Sequence, residues 1–243
     1  MTGGGGPSSP DDPIGDLLLL QVWLSPAFPV GGFTYSHGLE WAIDAGDVTD
    51  AAALGHWLAD VLDHGAGRSD AILLVQAMRA VVAEDLDRLA EIVELAAAFQ
   101  PSKERRLEAT AQGAAFVRAI ADTWSTPAFD RLTAELATRF AGPPPWTHAV
   151  AVGVAAAAHG AREADVAPAF VQAFAANLIS AGVRAIPLGQ SEGLRLLRGL
   201  GPLVRRIAEA AARADLDDVG GAAILADVAS MRHETQYTRL FRS

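Results

Sequence analysis

Three side chains that could bind a metal ion recur every four residues in the first half of the sequence. His56, Asp60 and His64 have this spacing, which places them along one face of a helix. Imidazole and carboxylate groups are ligands for nickel and zinc, and two ligands four residues apart can share an ion. The two histidines lie about 12 Å apart along the axis, too far for one ion. We therefore predict no metal site, because a polar helix face explains these weak candidates better.

The motifs of common enzymes are missing from the sequence. There is no GxxxxGK[ST] loop to hold a nucleotide triphosphate, no GxSxG nucleophile turn, no HExxH pair and no cysteine. We therefore expect no catalytic residues in this chain. An enzyme of another type would need an apolar cavity with converging polar groups, which a sequence cannot reveal.

A short segment rich in aromatic residues interrupts the helical pattern near the start. Residues 25–41 read SPAFPVGGFTYSHGLEW, in which two prolines and a Gly-Gly pair indicate a tight connection between helices. Aromatic side chains are costly to leave in water, so they must pack internally or against a partner. Both readings, a rigid turn and a docking segment, remain open. The aromatic residues are Phe28, Phe33, Tyr35 and Trp41.

The C-terminal residues 232–243, the tail, are basic and apolar on an acidic protein. They carry three arginines and one glutamate, a charge of +2, which leaves −12 on residues 1–231. Tyr237, Leu240 and Phe241 add apolar surface to this tail. Aromatic residues and arginine are favoured at protein interfaces. The tail therefore either folds back on the body or docks another protein, and a frayed end explains its apolar residues poorly.

Helical periodicity extends over nearly the whole chain after a Gly, Ser, Pro and Asp segment. We predict a flexible N-terminal tail at 1–15, one all-α domain at 16–231 and a partner-docking tail at 232–243. Asp50, Ser102 and Thr126 precede helical patterns and are predicted N-caps. The fold class is all-α, a single-domain bundle of about ten helices. The predicted helices are 16–24, 36–45, 50–64, 69–81, 86–99, 103–123, 128–140, 147–159, 165–183, 191–213 and 221–231.

Composition limits the function classes further. The chain has 243 residues, a net charge of −10, 51% hydrophobic residues and no cysteine. Its acidic pI near 5.0 argues against binding to nucleic acid, which needs a basic face. The longest apolar run, residues 149–158, is shorter than the roughly 20 residues that span a membrane. We expect a cytoplasmic protein that binds neither nucleic acid nor membrane.

Four segments of the sequence together resemble one family. PVGGFTYSHGLEWAIDAGDV (residues 29–48) and ASMRHETQYTRLFRS (residues 229–243) are similar to the N- and C-terminal signatures of the urease accessory protein F family. SKERRLEATAQGAAF (residues 102–116) and NLISAGVRAIPLGQSEGLRLL (residues 177–197) resemble its internal motifs, in the same order. The resemblance runs from about residue 17 to the last residue.

This resemblance implies an adaptor rather than an enzyme. Members of the family are all-α, commonly homodimeric, cytoplasmic proteins that bridge accessory protein D (also called H) and the GTPase accessory protein G. Their complex inserts nickel into apo-urease. The resemblance therefore implies that the partner GTPase binds GTP, that the complex handles nickel, and that this chain has no permanently bound cofactor. The alternative is a helical metallochaperone that binds nickel through His37 or through the pairs formed by His56, Asp60 and His64. The residues that the resemblance makes candidate partner contacts are Pro29, Gly31, Gly32, Tyr35, Ser36, His37, Glu40, Arg232, His233, Glu234, Tyr237 and Arg239.

Overall fold

All regular secondary structure in the described part of the chain, residues 13–243 of a computed structural model, is helical. The all-α prediction is therefore confirmed. Of the predicted N-terminal tail, residues 1–12 lie outside the described residues, whereas residues 13–15 are helical, so the tail was predicted three residues too long. Two short 3-10 helices, Gly32–Thr34 and Leu216–Asp218, accompany the α-helices. The α-helices are α1 (Pro13–Trp23), α2 (Leu39–Asp44), α3 (Ala51–His64), α4 (Ala66–Val82), α5 (Leu86–Ala98), α6 (Lys103–Thr123), α7 (Pro127–Ala137), α8 (His148–Ala158), α9 (Glu163–Ala185), α10 (Gln190–Ala211) and α11 (Ile224–His233).

The predicted N-caps account for the start of three helices. The side chains of Asp50, Ser102 and Thr126 each accept a hydrogen bond from the backbone N–H three residues later. Each cap satisfies one of the free N–H groups of the first turn, an interaction that stabilises a helix by about 1 kcal/mol. Local sequence signals therefore set where α3, α6 and α7 begin.

Helix α8 lies at the centre of the bundle and packs against α4 and α6. Its residues 149–156 are all buried, so the alanine-rich run forms the core. Two glycines allow the close crossings: a Cβ on Gly153 would lie 2.6 Å from the carbonyl oxygen of Leu74, and one on Gly113 would lie 2.1 Å from that of Trp146. Small residues thus bring the backbones of three helices together.

Helix α9 is the described helix that is long and apolar enough to cross a membrane. Half of its most apolar 18-residue window is buried inside the protein, where α9 packs against α10, α4 and α2. Core helices pass the same length and composition test, so this helix is weak evidence for a membrane span.

The observed helices begin and end within three residues of the predicted bounds, and the differences that bear on the site lie beside the aromatic segment and the tail. Helix α2 begins at Leu39 rather than at residue 36, because His37 and Gly38 have positive φ angles of 57° and 77°. Helix α11 begins at Ile224 rather than at residue 221 and continues to His233, two residues beyond the predicted end. The structure therefore places the first two residues of the predicted tail inside a helix.

Candidate functional site

The tail folds back onto the turn segment, residues 29–40. The backbone N–H and the hydroxyl of Ser36 both donate to the carbonyl oxygen of Ser243, the backbone bond being 2.6 Å long. The N–H of Arg242 donates to the carbonyl oxygen of Thr34 at 2.8 Å. Ser243 is 1% exposed and Phe241 is 4% exposed. Of the two readings of the tail, the structure shows the folded one.

Glu40, on α2, forms several hydrogen bonds with the tail. Its carboxylate accepts the backbone N–H groups of Leu240 at 2.5 Å and Phe241 at 2.8 Å. Its Oε2 also lies 3.0 Å from Nε2 of His233 at the end of α11. Charge-assisted hydrogen bonds of this kind are stronger than neutral ones. One carboxylate therefore joins α2, α11 and the tail.

His233 lies between two carboxylates and is 0% exposed. Its Nδ1 is 2.6 Å from Oε2 of Glu104 on α6, and its Nε2 faces Glu40. Each ring nitrogen of His233 therefore lies within hydrogen-bond distance of a different carboxylate oxygen. Arg239 donates to the other oxygen of Glu104 at 2.6 Å, so an arginine of the tail also pairs with α6. The basic tail is thus matched by acidic groups of the body.

A second ionic group lies deeper, beneath the end of the tail. Glu108 on α6 is 1% exposed and accepts from Arg105, from Ser243 Oγ at 2.6 Å and from His37 Nε2 at 2.7 Å. Although burial raises the pKa of Glu108, Arg105 and His37 lower it more, so this carboxyl is ionised at neutral pH. Burial lowers the pKa of His37, with Arg105 adding to the effect, so its ring is neutral and Nδ1 has no partner.

Gly38 allows α2 to approach α11, and the sequence-based predictions missed it. Its φ of +77° is unfavourable for other residues, and a Cβ there would lie 2.6 Å from the backbone nitrogen of Ser230. In the sequence, Gly38 is a glycine immediately before a helical pattern. Glycines at such positions are also typical of ordinary turns, so this feature alone does not indicate a close helix contact. The close approach of Gly38 to Ser230, nearly two hundred positions away, cannot be recognised from the residues around Gly38.

The aromatic residues within the turn segment and directly before it divide between the core and the surface. Phe28 and Tyr35 are each 6% exposed, and Phe28 packs 5.2 Å from the ring of Phe116. Phe33, in contrast, is 60% exposed beside Thr34, which binds the tail. Tyr237 is fully exposed. The rigid-turn reading accounts for the buried rings, while the two exposed rings remain available to a partner.

Two exposed apolar surfaces result from this arrangement. The first, the tail surface, consists of Tyr237, Arg239 and Leu240 of the tail, of which Leu240 is 64% exposed. The second, the α11 surface, consists of Ile224, Leu225, Val228 and Met231, with exposures between 41% and 74%. Exposed apolar patches of this kind are typical of protein interaction sites.

The candidate partner contacts differ in their solvent exposure. Tyr35, Ser36, His37 and His233 are buried; Gly31, Gly32, Glu40 and Glu234 are half-buried; Pro29, Arg232, Tyr237 and Arg239 are exposed. Glu234 accepts from the N–H of Lys103 at 2.8 Å, at the start of α6. The structure brings all of these segments together, but the buried residues shape the site from within and the exposed ones are accessible to a partner.

The metal candidates lie elsewhere, on α3. His56, Asp60 and His64 are all exposed on that helix, as the spacing predicts. Within residues 13–243, no point gathers three or more histidine, cysteine, aspartate or glutamate side chains suited to one ion. The Nε2 atom of His37 is engaged by Glu108 at 2.7 Å and by Arg105 at 3.1 Å.

An apolar cavity of about 160 Å³ lies between the turn segment, α8 and α9. Phe170 and Phe174 line it together with His37, His148 and Asn177. Burial lowers the pKa of His148 to about 4, and its Nε2 has no hydrogen-bond partner. In the described part of the chain no hydroxyl is bonded to either imidazole, so the paired nucleophile and base of a hydrolase are not assembled here.

The fold and the site thus define a helical protein whose distinctive feature is a clamped tail beside exposed interaction surfaces. The UreF family model matches residues 48–201. Urease accessory proteins UreF from Bradyrhizobium sp. (strain BTAi1) and Rhodopseudomonas palustris (strain HaA2) are each 51% identical over 227 residues, covering 93% of this chain and 92% and 93% of those proteins. UreF of Methylorubrum populi (strain BJ001) is 51% identical over 229 residues, covering 94% of this chain and 99% of that protein. The chain belongs to the UreF family of urease accessory proteins.

Proposed function

We propose that this chain is a cytoplasmic adaptor for urease maturation, without catalytic activity of its own. It joins accessory protein D (or H) to the GTPase accessory protein G in the complex that inserts nickel into apo-urease with GTP hydrolysis. The observation that carries this proposal is the tail, which is clamped by buried ionic contacts while Tyr237 and Leu240 remain exposed.

The clamp supports docking because it fixes the backbone at the end of the tail before a partner arrives. A free tail would lose conformational entropy on binding, roughly 0.5–1.5 kcal/mol for each side chain immobilised. Here the backbone of residues 240–243 is already held by Glu40, Thr34 and Ser36. Tyr237 and Arg239 are also residue types that often dominate binding energy.

The division of chemistry within the complex follows from the residues available here. The nucleotide is bound by the GTPase partner, since this sequence has no phosphate-binding loop. Nickel is cargo of the complex, and this chain has no permanent cofactor. The adaptor proposal therefore needs surfaces for proteins rather than a reaction centre, as the tail and α11 surfaces offer.

A pull-down with accessory proteins D and G tests the adaptor role. Truncation before Arg232 is unsuitable because it removes the buried His233 and Ser243. Tyr237→Ala removes a fully exposed ring instead, and Leu107→Ala, at a 65% exposed position on α6, is the control. We expect Tyr237→Ala to lower recruitment of a partner at least tenfold with an unchanged melting temperature. Equal recruitment by both variants would contradict the role of the tail surface.

We also propose that the protein is a homodimer joined through α1. Leu17, Leu18 and Val22 are between 43% and 58% exposed on this helix. Beside them an apolar groove of about 500 Å³ runs between α1, α9 and α10, with Leu197 in its wall. A second copy would bury both the leucines and the groove.

Sedimentation at micromolar concentration tests this interface. Leu17→Arg should convert a dimer to a monomer, because it would place a charge in an apolar contact. Val82→Arg is the matched control, since Val82 is 77% exposed at the end of α4. A wild-type protein that sediments as a monomer would overturn the proposal.

A further inference from the structure

A row of exposed arginines runs along α10 on a chain whose net charge is −10. Eleven residues make about three helical turns, so Arg195 and Arg206 lie on one line along the helix, about 16 Å apart. Arg198 and Arg205 lie beside this line, within the same third of the helix surface. All four side chains are exposed, and together they form the α10 basic face.

Most of this positive charge is not balanced by the protein itself. Arg206 pairs with Asp63 of α3 at 2.6 Å. Arg195, Arg198 and Arg205 form no ion pair and no side-chain hydrogen bond with residues 13–243. Exposed arginines are often only hydrated, so the shape of the surface beside them decides whether a partner fits.

A groove between α3 and α10 borders the basic face. It encloses about 330 Å³, and its lining combines Ala51, Gly55 and Leu196 with Arg195. A second groove, of about 570 Å³, lies toward the other end of α10 and has Arg206 in its wall. Each end of the line of arginines therefore has a concave surface beside it.

Apolar surface accompanies the charge outside the grooves as well. Leu194 is 66% exposed and lies one helical turn before Arg198. A Cβ built on Gly199 would meet nothing within 4 Å, so the first groove is open where this glycine lines it. A segment that presents both carboxylates and apolar side chains would match this surface.

The charges around the basic face favour a protein over a nucleic acid or a membrane. Guanidinium groups pair with carboxylates through two parallel hydrogen bonds. Glu192 and Glu209, both exposed, lie on α10 beyond either end of the line of arginines. They would repel a continuous row of phosphates, whereas a protein segment can place a neutral or basic residue opposite each of them.

We propose that the α10 basic face docks an acidic amphipathic helix of another protein in the maturation complex. The proposal rests on the proposed function for the existence of such a partner. It adds a surface separate from the tail and α11 surfaces, because α10 packs mainly against α9, α3 and α4, whereas α11 packs mainly against α2 and α6. Leu197, in the wall of the dimer groove, follows Arg195 by two residues and therefore lies on the other side of α10.

Charge reversal in the full-length chain, with purified accessory proteins D and G, is the first experiment. Arg198→Glu and Arg205→Glu should each weaken binding of one accessory protein at least tenfold, with an unchanged melting temperature because both positions are exposed. Arg118→Glu is the matched control, since Arg118 is an exposed arginine of α6 that also forms no ion pair with the described residues. Added salt should weaken binding of the wild type more than that of Arg198→Glu.

The outcomes separate this proposal from the adaptor role. Binding of an accessory protein by the wild type that neither reversal weakens, or that Arg118→Glu weakens equally, would overturn the assignment of the basic face. Failure of the adaptor role has a different signature, because the wild type would then bind neither accessory protein.

A designed peptide tests the same chemistry without the accessory proteins. A fluorescein-labelled helix of about 15 glutamate, leucine and alanine residues is long enough to cover the face. Fluorescence anisotropy should show saturable binding that Arg198→Glu weakens at least tenfold and Arg118→Glu does not, and no binding when lysine replaces glutamate in the peptide. Absence of saturable binding, or tighter binding of duplex DNA or of phosphatidylserine vesicles, would overturn the proposal.

Discussion

Replacing Gly38 by alanine tests the contact between α2 and α11 on which the clamped tail depends. Gly38 has a φ of +77°, and an added Cβ would lie 2.6 Å and 2.9 Å from the backbone nitrogen and Cα of Ser230. These are backbone atoms of a buried helical residue, which cannot rotate away as a side chain can. The substitution must therefore separate the two helices as well as strain the turn.

The two costs can be separated with a second glycine. Gly46 has a similar φ of +84°, but nothing lies within 4 Å of its added Cβ. Gly46→Ala should therefore cost only the left-handed conformation, about 1–2 kcal/mol. Gly38→Ala adds overpacking against α11, typically a further 1–3 kcal/mol. We expect the free energy of unfolding to fall by about 2–5 kcal/mol in Gly38→Ala.

Urea unfolding of both variants, with the pull-down as a second measurement, gives the comparison. Gly38→Ala should also capture less accessory protein under native conditions, because displacement of α11 moves His233 away from Glu40. Gly46→Ala should capture as much as the wild type. If both variants lose the same free energy of unfolding, α11 does not pack on Gly38.

Three further substitutions test the buried groups. Desolvation of Asp70, on α4, raises its pKa in the folded protein to about 6, above the ordinary 3.8, so ionisation of this carboxyl opposes folding. Asp70→Asn should therefore stabilise the protein above pH 6 by up to about 3 kcal/mol. In thermal melts this stabilisation should decrease as the pH is lowered toward 4. Glu108→Gln should cost about 3–5 kcal/mol in urea unfolding at pH 7 because it leaves Arg105 buried and unpaired. Since the pKa of Glu108 is lowered, that cost should shrink as the pH falls below its ordinary 4.5, and a cost independent of pH would contradict the assignment. Gly113→Ala should destabilise by about 3 kcal/mol or more through collision with Trp146, whereas Gly142→Ala, with nothing within 4 Å, should have little effect on the melting temperature.

Much of the fold could be predicted because its signals are local. A cap such as Ser102 acts on an N–H three residues away, and the apolar period of a helix is set within one or two turns. The helix α6 accordingly begins and ends where the pattern predicts. The start of α2 was not predicted, because the positive φ angles of His37 and Gly38 belong to a turn whose neighbours, Glu108 on α6 and Ser230 on α11, are distant in sequence.

The sequence indicated which segments form the candidate site, but it did not indicate which of their residues are buried and which are exposed. The unusual composition of the turn segment and the tail marked both as special, and the structure brings them into contact. Their spacing did not indicate that Ser36 and His233 would be buried while Tyr237 is exposed.

The sequence by itself determined the helical class, most helix ends and the charge difference between an acidic body and a basic tail. It also contained the motifs that indicate the family. Only the tertiary structure decided that the tail is clamped, since the carboxylate of Glu40 meets Leu240 and Phe241 across two hundred residues. Helix formation depends on neighbours within four positions, whereas the pairing of distant charges depends on how whole helices pack. That packing holds the basic tail against the acidic body.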